Sequence, residues 1–380
     1  MAGIYIHIPF CKQACNYCNF HFSTSLKMKE DMLKAIHLEL QSKIPYLEGQ
    51  TIETIYLGGG TPSLLSQSEI MHLFDAINKS FPNQDLKEVT MEANPDDLDY
   101  KYIQSLANTP VSRFSLGVQS FFDEDLQYMN RAHNASQADY AIKVAQDAGF
   151  DNISIDLIYG TPGLTDQKWL QNIRTAVSLN IPHISSYALT VEPKTALAHA
   201  IEKGKAKPVN ESQSAQQFEL LMEKLIEAGY QHYEISNFAL PDRYAVHNTN
   251  YWSGKHYAGV GPSAHSFNGH SRQWNMANNA LYISGINQDK KPPFEIEELS
   301  KADQLNEYIM TSLRTMWGLD FNRVTTLFGS SATDTLLKKS EEYIYNQQAT
   351  LTDNHLVLTS KGKLYADGIA GDLFFDDFNL

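Results

Sequence analysis

Apolar positions in the first half of the chain follow two periods in turn: unbroken runs of four to six residues, then stretches with apolar side chains three and four apart. The first run, 4–8, reads Ile-Tyr-Ile-His-Ile and predicts a strand; Met32, Ala35, Ile36 and Leu40 then predict a helix over about 28–43. A second run, 54–57, stops at Gly58, Gly59, Gly60, Thr61 and Pro62. Ser66 and Glu69 have the spacing of a capping box, and Ile70, Leu73, Phe74 and Ile77 line one face of the helix it opens. Runs at 89–92, 114–119, 153–158 and 184–189 predict strands three to six. Between the fourth and fifth, Ala141, Val144, Ala145 and Ala148 share a helical face, which Ser136 is expected to open and Gly149 to cap.

Six strand-then-helix units, with strands apolar enough to be covered on both faces, predict an α/β fold with a parallel sheet and helices outside. In chain order they suit a partial (βα)6 barrel of the TIM kind, whose functional groups gather at the C-terminal ends of the strands. Polar residues stand there: cysteines after the first strand, glycines after the second, Glu92 closing the third, Gln119 closing the fourth and Asp156 within the fifth. Further on, 257–265 is rich in glycine, and Lys290, Lys291, Pro292 and Pro293 break the pattern and mark a linker. Ile309, Leu313, Met316 and Trp317 form a helical stripe, and the run 355–359 precedes a last helix over about 361–375. The expected division is a barrel at 1–240, a connecting segment at 241–290 and a small C-terminal domain at 291–380.

With 42% hydrophobic residues in 380, the chain can bury a large core. Lys+Arg 30 against Asp+Glu 44, a net charge of -14, leaves no broad positive footprint, so no nucleic-acid partner is expected. No apolar run approaches the roughly 20 residues of a transmembrane segment, and no leader pattern opens the chain. A cytoplasmic protein is expected, with peripheral membrane contact and a homodimer left open.

The three cysteines of the chain, Cys11, Cys15 and Cys18, stand in one polar loop. A disulfide would strand one of them, and such sparse use suits a reducing compartment. A structural zinc would need a fourth ligand, such as His7 or His21, and the usual closely spaced pairs are absent. An iron–sulfur cluster normally takes four ligands, so three thiolates leave one iron open to a small molecule. The glycines at 58–60 let a ligand approach the backbone, although a turn alone would also explain them. Arg131 is either a planar fork for a carboxylate or a surface residue; Gln119 and Asp156 offer acceptors to hydroxyls, unless Asp156 caps a turn.

Cys-x3-Cys-x2-Cys with Tyr17 before the third cysteine resembles the signature of radical S-adenosylmethionine (SAM) proteins. The resemblance implies a 4Fe-4S cluster on Cys11, Cys15 and Cys18, with the amine and carboxylate of SAM on the fourth iron. It further implies that Gly59, Gly60 and Thr61 hold the methionyl amine, that Glu92 and Arg131 are charged partners, and that Gln119 and Asp156 take the ribose hydroxyls. Tyr5 and Tyr17 would pack near cluster and SAM.

The stretches 5–11, 117–120 and 156–160 extend the resemblance to the oxygen-independent coproporphyrinogen III oxidases and their relatives, whose small C-terminal domain is winged-helix-like. Two departures separate this chain from the oxidases. Their further cysteine two positions after the third is Phe20 here, and ten residues precede Cys11 where they carry an N-terminal extension. His247, Asn248, Tyr251 and Trp252 form His-Asn-x-x-Tyr-Trp. One histidine among thirteen is ordinarily a hydrogen-bonded structural residue, yet a neutral imidazole backed by aromatics is also a haem ligand. The motif resembles that of the haem chaperones of this family, which also lack the extra cysteine and the extension. That resemblance implies haem held through His247 with Tyr251 and Trp252, apo-haemoproteins as acceptors, and no catalytic residue. The alternatives are a coproporphyrinogen III oxidase, a radical SAM decarboxylase, and a purely structural iron–sulfur protein. No Cys-x-x-Cys-His is present for c-type attachment.

Overall fold

The computed structural model describes residues 1–376. Its centre is a run of six parallel strands paired side by side in chain order: β1 (Ala2–Ile8), β2 (Ile52–Gly59), β3 (Gln84–Ala93), β4 (Arg113–Gln119), β5 (Ile153–Tyr159) and β6 (His183–Ala188). Helices Lys29–Ser42, Gln67–Ser80, Tyr100–Leu106, Ala135–Asp147 and Asp166–Ser178 lie between consecutive strands. Ile4, Ile6 and Ile8 are buried, and so is His7 between them, because a parallel sheet is covered on both faces. All six expected strands form, and the Ser66–Glu69 capping box is made. One helix start differs from expectation. Asn134, extended at φ -110°, accepts from Gln137 N at 2.9 Å and makes the cap, which leaves Ser136 inside the first turn.

The sheet stays open and grows to twelve strands. Beyond β6 come β7 (Gln231–Glu234) and β8 (Asn237–Ala239), with β8 antiparallel to both β6 and β7. On the far side β9 (His256–Val260) runs parallel to β1, and β10 (His265–Phe267), β11 (Ser271–Asn275) and β12 (Phe294–Glu298) follow antiparallel. Segment 241–290 therefore contributes three strands to the sheet, with a helix on either side of them. Gly259 faces Tyr5 across the β1–β9 pair, and a Cβ on it would meet the His265 carbonyl oxygen at 1.9 Å. Lys290–Pro293 is a turn within this sheet and not a linker: Lys290 takes φ 61° to end a helix, and β12 behind it pairs with β11.

The C-terminal unit begins at helix Lys301–Leu313 and has its own core, with Leu305, Ile309, Phe321, Leu336 and Leu356 buried. Helices surround a small antiparallel sheet ordered β13 (Leu319–Asp320), β15 (His355–Leu358), β14 (Ala349–Thr352), a winged-helix-like arrangement. The expected stripe stops at Leu313, and Met316 and Trp317 lie in the segment after it. The expected last helix is two short ones, Ser360–Lys363 and Ala366–Asp372. The unit docks on the edge strand β7: Met316 N donates to Tyr233 O at 3.0 Å, and Ile235 N donates to Arg314 O at 3.0 Å. The Arg314 guanidinium spans the junction, donating to Glu234 Oε1 from Nε at 3.1 Å and to Asp367 Oδ1 from Nη1 at 2.6 Å.

Candidate functional site

The cysteine loop is pinned from several sides. Cys11 N donates to Ser23 O at 3.0 Å and Asn16 N to Met129 O at 3.1 Å; Leu197 N closes on Asn16 O at 2.8 Å. Asn130 Nδ2 reaches Ala14 O at 2.7 Å, and Lys12 pairs with Asp96 and Asp97 just beyond β3. Three strand-end segments thus hold one loop in place.

Cys11, Cys15, Tyr17, Cys18, Gly59, Gly60, Thr61, Glu92, Gln119, Arg131 and Asp156 line a single cavity of about 150 Å³. A second cavity of about 520 Å³ shares Tyr17, Cys18, Glu92, Gln119 and Asp156 and runs on to Tyr187 and Asn248. Eleven residues that strand-end position and resemblance single out are therefore brought together. Gly60 is required, since a Cβ would stand 2.5 Å from Phe10 O; Gly59 has φ 104° with His7 against it. Gln119 holds φ 66°, a strained value for a side-chain-bearing residue at the end of a strand facing the cavity.

Arg131 is no surface residue. Its Nη1 donates to Cys15 Sγ at 3.2 Å and its Nη2 to Asn94 Oδ1 at 2.6 Å and Gly117 O at 2.8 Å, while its buried Nε finds no acceptor among the described residues. Burial pushes the Glu92 carboxyl up to about 7; Tyr56 OH at 2.8 Å and Gly59 N at 3.1 Å oppose this, and the Asp156 charge adds to it. Burial likewise raises Asp156 to about 6, against a hydrogen bond from Ser185 and the charges of Arg113 and Arg131. The Cys11 thiol is pushed by burial up to about 11, so metal binding there must displace a proton.

The donor set suits a cluster better than zinc. His7 is engaged at both ring nitrogens, by Tyr5 OH at 3.1 Å and His21 O at 2.8 Å, and His21 Nε2 is taken by Asn279 Oδ1 at 2.7 Å. Among the described residues no three potential ligands close on a single ion. Thiolates of a four-iron cluster bind separate irons and need not do so. The Gly59 and Gly60 amides are taken by Glu92 Oε2 at 3.1 Å and Ile8 O at 2.9 Å, so the Arg131 Nε, without an acceptor among the described residues, and the Glu92 carboxyl are the groups that fit a ligand carrying both a carboxylate and an amine.

Two of the residues singled out by the sequence have other partners in this structure. Tyr5 does not reach the cavity: it packs behind the glycine turn, stacked on Tyr56 with ring centroids 6.0 Å apart. His247, on helix Val246–Trp252, is 1% exposed and offers no free lone pair. Its Nδ1 bonds Thr54 Oγ1 at 2.8 Å and its Nε2 bonds Tyr251 OH at 2.7 Å, while Glu88 accepts from the Val246 and His247 amides at 2.9 and 3.0 Å. Burial lowers its pKa to about 3, so the ring is neutral. The motif faces two ways from this anchor: Asn248 lines the larger barrel cavity, and Trp252 lines a separate cleft toward the C-terminal unit. Asn94 was missed; it joins Arg131 to Thr61, donating to Thr61 Oγ1 at 3.1 Å, and its place directly after β3 was the available signal.

Residues 5–176 match the radical SAM superfamily, and residues 299–365 match the HemN C-terminal domain. Fold and site together define a radical SAM protein with a HemN-type C-terminal domain. The chain is 34% identical over 378 residues to the haem chaperone HemW of Bacillus subtilis, covering 98% of each chain. It is 32% identical over 376 residues to HemW of Mycobacterium tuberculosis, covering 98% of this chain and 94% of that one, and 38% identical over 268 residues to HemW of Escherichia coli, 69% of each. The chain belongs to the HemW family. Among solved structures, the coproporphyrinogen III oxidase HemN from Escherichia coli aligns with a TM-score of 0.84 at 21% identity, covering 98% of this chain and 90% of that one, which establishes a shared fold. No helix among the described residues is long and apolar enough to cross a membrane.

Proposed function

We propose that the protein is a haem chaperone, taking up haem and passing it to apo-haemoproteins in the cytoplasm, on a scaffold that binds a 4Fe-4S cluster and SAM. The carrying observation is its 34% identity to the Bacillus subtilis haem chaperone over 98% of both chains. Cys11, Cys15 and Cys18 would hold the cluster; Gly59, Gly60, Thr61, Glu92, Arg131, Gln119, Asp156 and Tyr17 would hold SAM, and their gathering in one cavity supports this. A bound cluster supplies one-electron chemistry and an open iron for the ligand. Within this reading residues 1–240 carry cluster and SAM, 241–290 carry the haem motif, and 291–380 cover it. Phe20, 70% exposed where the oxidases of this family carry a further cysteine, supports carriage over coproporphyrinogen oxidation.

Two measurements on anaerobically reconstituted protein test the reading. The wild type should retain about four irons and Cys15→Ala far fewer, because two thiolates hold such a cluster poorly. Ferric haem added to the wild type should give a stable complex with a Soret band. A wild type that takes up no haem refutes the chaperone, and a Cys15→Ala protein with full iron content refutes the cluster assignment.

A further inference from the structure

A cleft of about 310 Å³ lies between helix Val246–Trp252 and the C-terminal unit, away from the barrel cavities, and Trp252, Tyr308, Trp317, Arg323 and His355 line it. Its walls are aromatic in part, with hydroxyls of Thr249, Ser253, Ser312 and Thr315 between the rings; Trp317 packs against Tyr233 and Tyr244 on one side, and the Arg314 guanidinium lies 5.3 Å from the Trp252 ring centroid. Trp317 is 42% exposed, and the indole Nε1 of Trp252 is buried without an acceptor among the described residues. The Arg323 guanidinium lies over the Tyr308 ring, 4.4 Å from its centroid. Among the described residues the arginines paired with carboxylates are Arg113, Arg243, Arg272 and Arg314, and Arg323 has no such partner there. Asp320, the acid in the cleft, is occupied in capping, its Oδ1 accepting from Asn322 N at 2.8 Å.

His355 differs from His247 in what its ring offers. Its Nδ1 donates to the Asp353 carbonyl at 2.8 Å, and because a carbonyl can only accept, the proton sits on Nδ1 and the lone pair on Nε2. An imidazole oriented by a backbone carbonyl in this way is the usual arrangement of a metal-ligating histidine. Indole rings in the wall, an arginine without a carboxylate partner among the described residues and an imidazole with an open Nε2 match a planar, aromatic, dianionic iron complex. A cleft of this size takes one edge of such a macrocycle and leaves the rest where an acceptor protein can reach it.

We propose that haem seats in this cleft, with Trp252 and Trp317 against the macrocycle, Arg323 pairing a propionate carboxylate, and Nε2 of His355 as axial ligand. The proposal rests on the haem-chaperone reading and deepens it by moving the ligand from His247 to His355. The His-Asn-x-x-Tyr-Trp motif keeps a role: His247, locked between Thr54 and Tyr251, fixes the helix that presents Trp252 to the cleft.

Titration of ferric haem into the full-length protein, read by the Soret band and electron paramagnetic resonance, tests the assignment. His355→Ala is expected to lose the nitrogen-ligand signature and to bind at least about tenfold more weakly, a change of about 1.4 kcal/mol. Arg323→Gln and Trp317→Ala are expected to keep that signature and bind about threefold to tenfold more weakly. His247→Gln keeps the signature. His355 is partly exposed and its ring bonds a carbonyl of its own turn, so its loss leaves the fold intact, which circular dichroism checks. Haem binding by wild type with an unchanged signature and affinity in His355→Ala overturns the cleft and leaves the chaperone reading standing. No binding by wild type overturns both.

Discussion

Glu92 sits against the glycine turn with its carboxylate held by Tyr56 and Gly59, yet burial lifts its pKa to about 7. In the unfolded chain a glutamate titrates near about 4.3. Between these values the folded protein keeps a proton that the unfolded chain has lost, so stability falls as pH rises through that window. Asp156, raised to about 6, acts in the same sense. In cluster-free protein, Glu92→Gln should therefore lose less stability than wild type between pH 5 and pH 7, gaining on it by up to about 1 kcal/mol per pH unit. Denaturant unfolding at several pH values measures this, and parallel stability curves would contradict it. At this scale the polar residues at strand ends were legible, because a parallel strand delivers its last side chains to a predictable edge. Tyr5 lies behind that edge because it precedes it in the strand, and composition does not say that both His247 ring nitrogens already have partners.

The helix Val246–Trp252 carries the motif on more than one face, and its anchor is a pair of ring hydrogen bonds inside the sheet. His247→Gln can replace one of those bonds and leaves the other partner buried and unsatisfied, at a cost of about 1–3 kcal/mol. The variant should therefore melt earlier than wild type while its haem-loaded form keeps the wild-type axial-ligand spectrum. Unchanged melting together with a changed spectrum would restore His247 as the ligand. Elements with strong periodicity, β1 to β6 and the helices between them, were readable from local pattern. β9 to β12 were not, since they are short, polar-rich and defined by pairing across distant sequence; β12 is exposed along its whole length. The same reason turned Lys290–Pro293 from a linker into a turn inside the sheet.

Across the whole molecule, the junction of sheet and C-terminal unit depends on Arg314, whose guanidinium meets a Glu234 carboxylate only 1% exposed. Arg314→Ala would leave that charge buried without its partner, a loss of about 3–5 kcal/mol. The expected result is a C-terminal unit that loosens first, seen as new cleavage around 299–301 in limited proteolysis; an unchanged digestion pattern would show that backbone bonds alone hold the junction. Charge balance and hydrophobic content indicated a globular chain without a nucleic-acid footprint, and the six strand-then-helix units indicated the α/β partial barrel; the six strands that extend its sheet were not indicated.

Delivery of haem to another protein is read out by following its transfer. Full-length protein loaded with ferric haem and freed of excess is mixed with an apo-haemoprotein, and the Soret band of each partner is followed. Haem is expected to leave the loaded protein for the acceptor, at a rate that rises with acceptor concentration. Haem that stays bound or is lost at a rate independent of the acceptor, together with SAM-dependent decarboxylation of coproporphyrinogen III by the cluster-loaded protein, would contradict it.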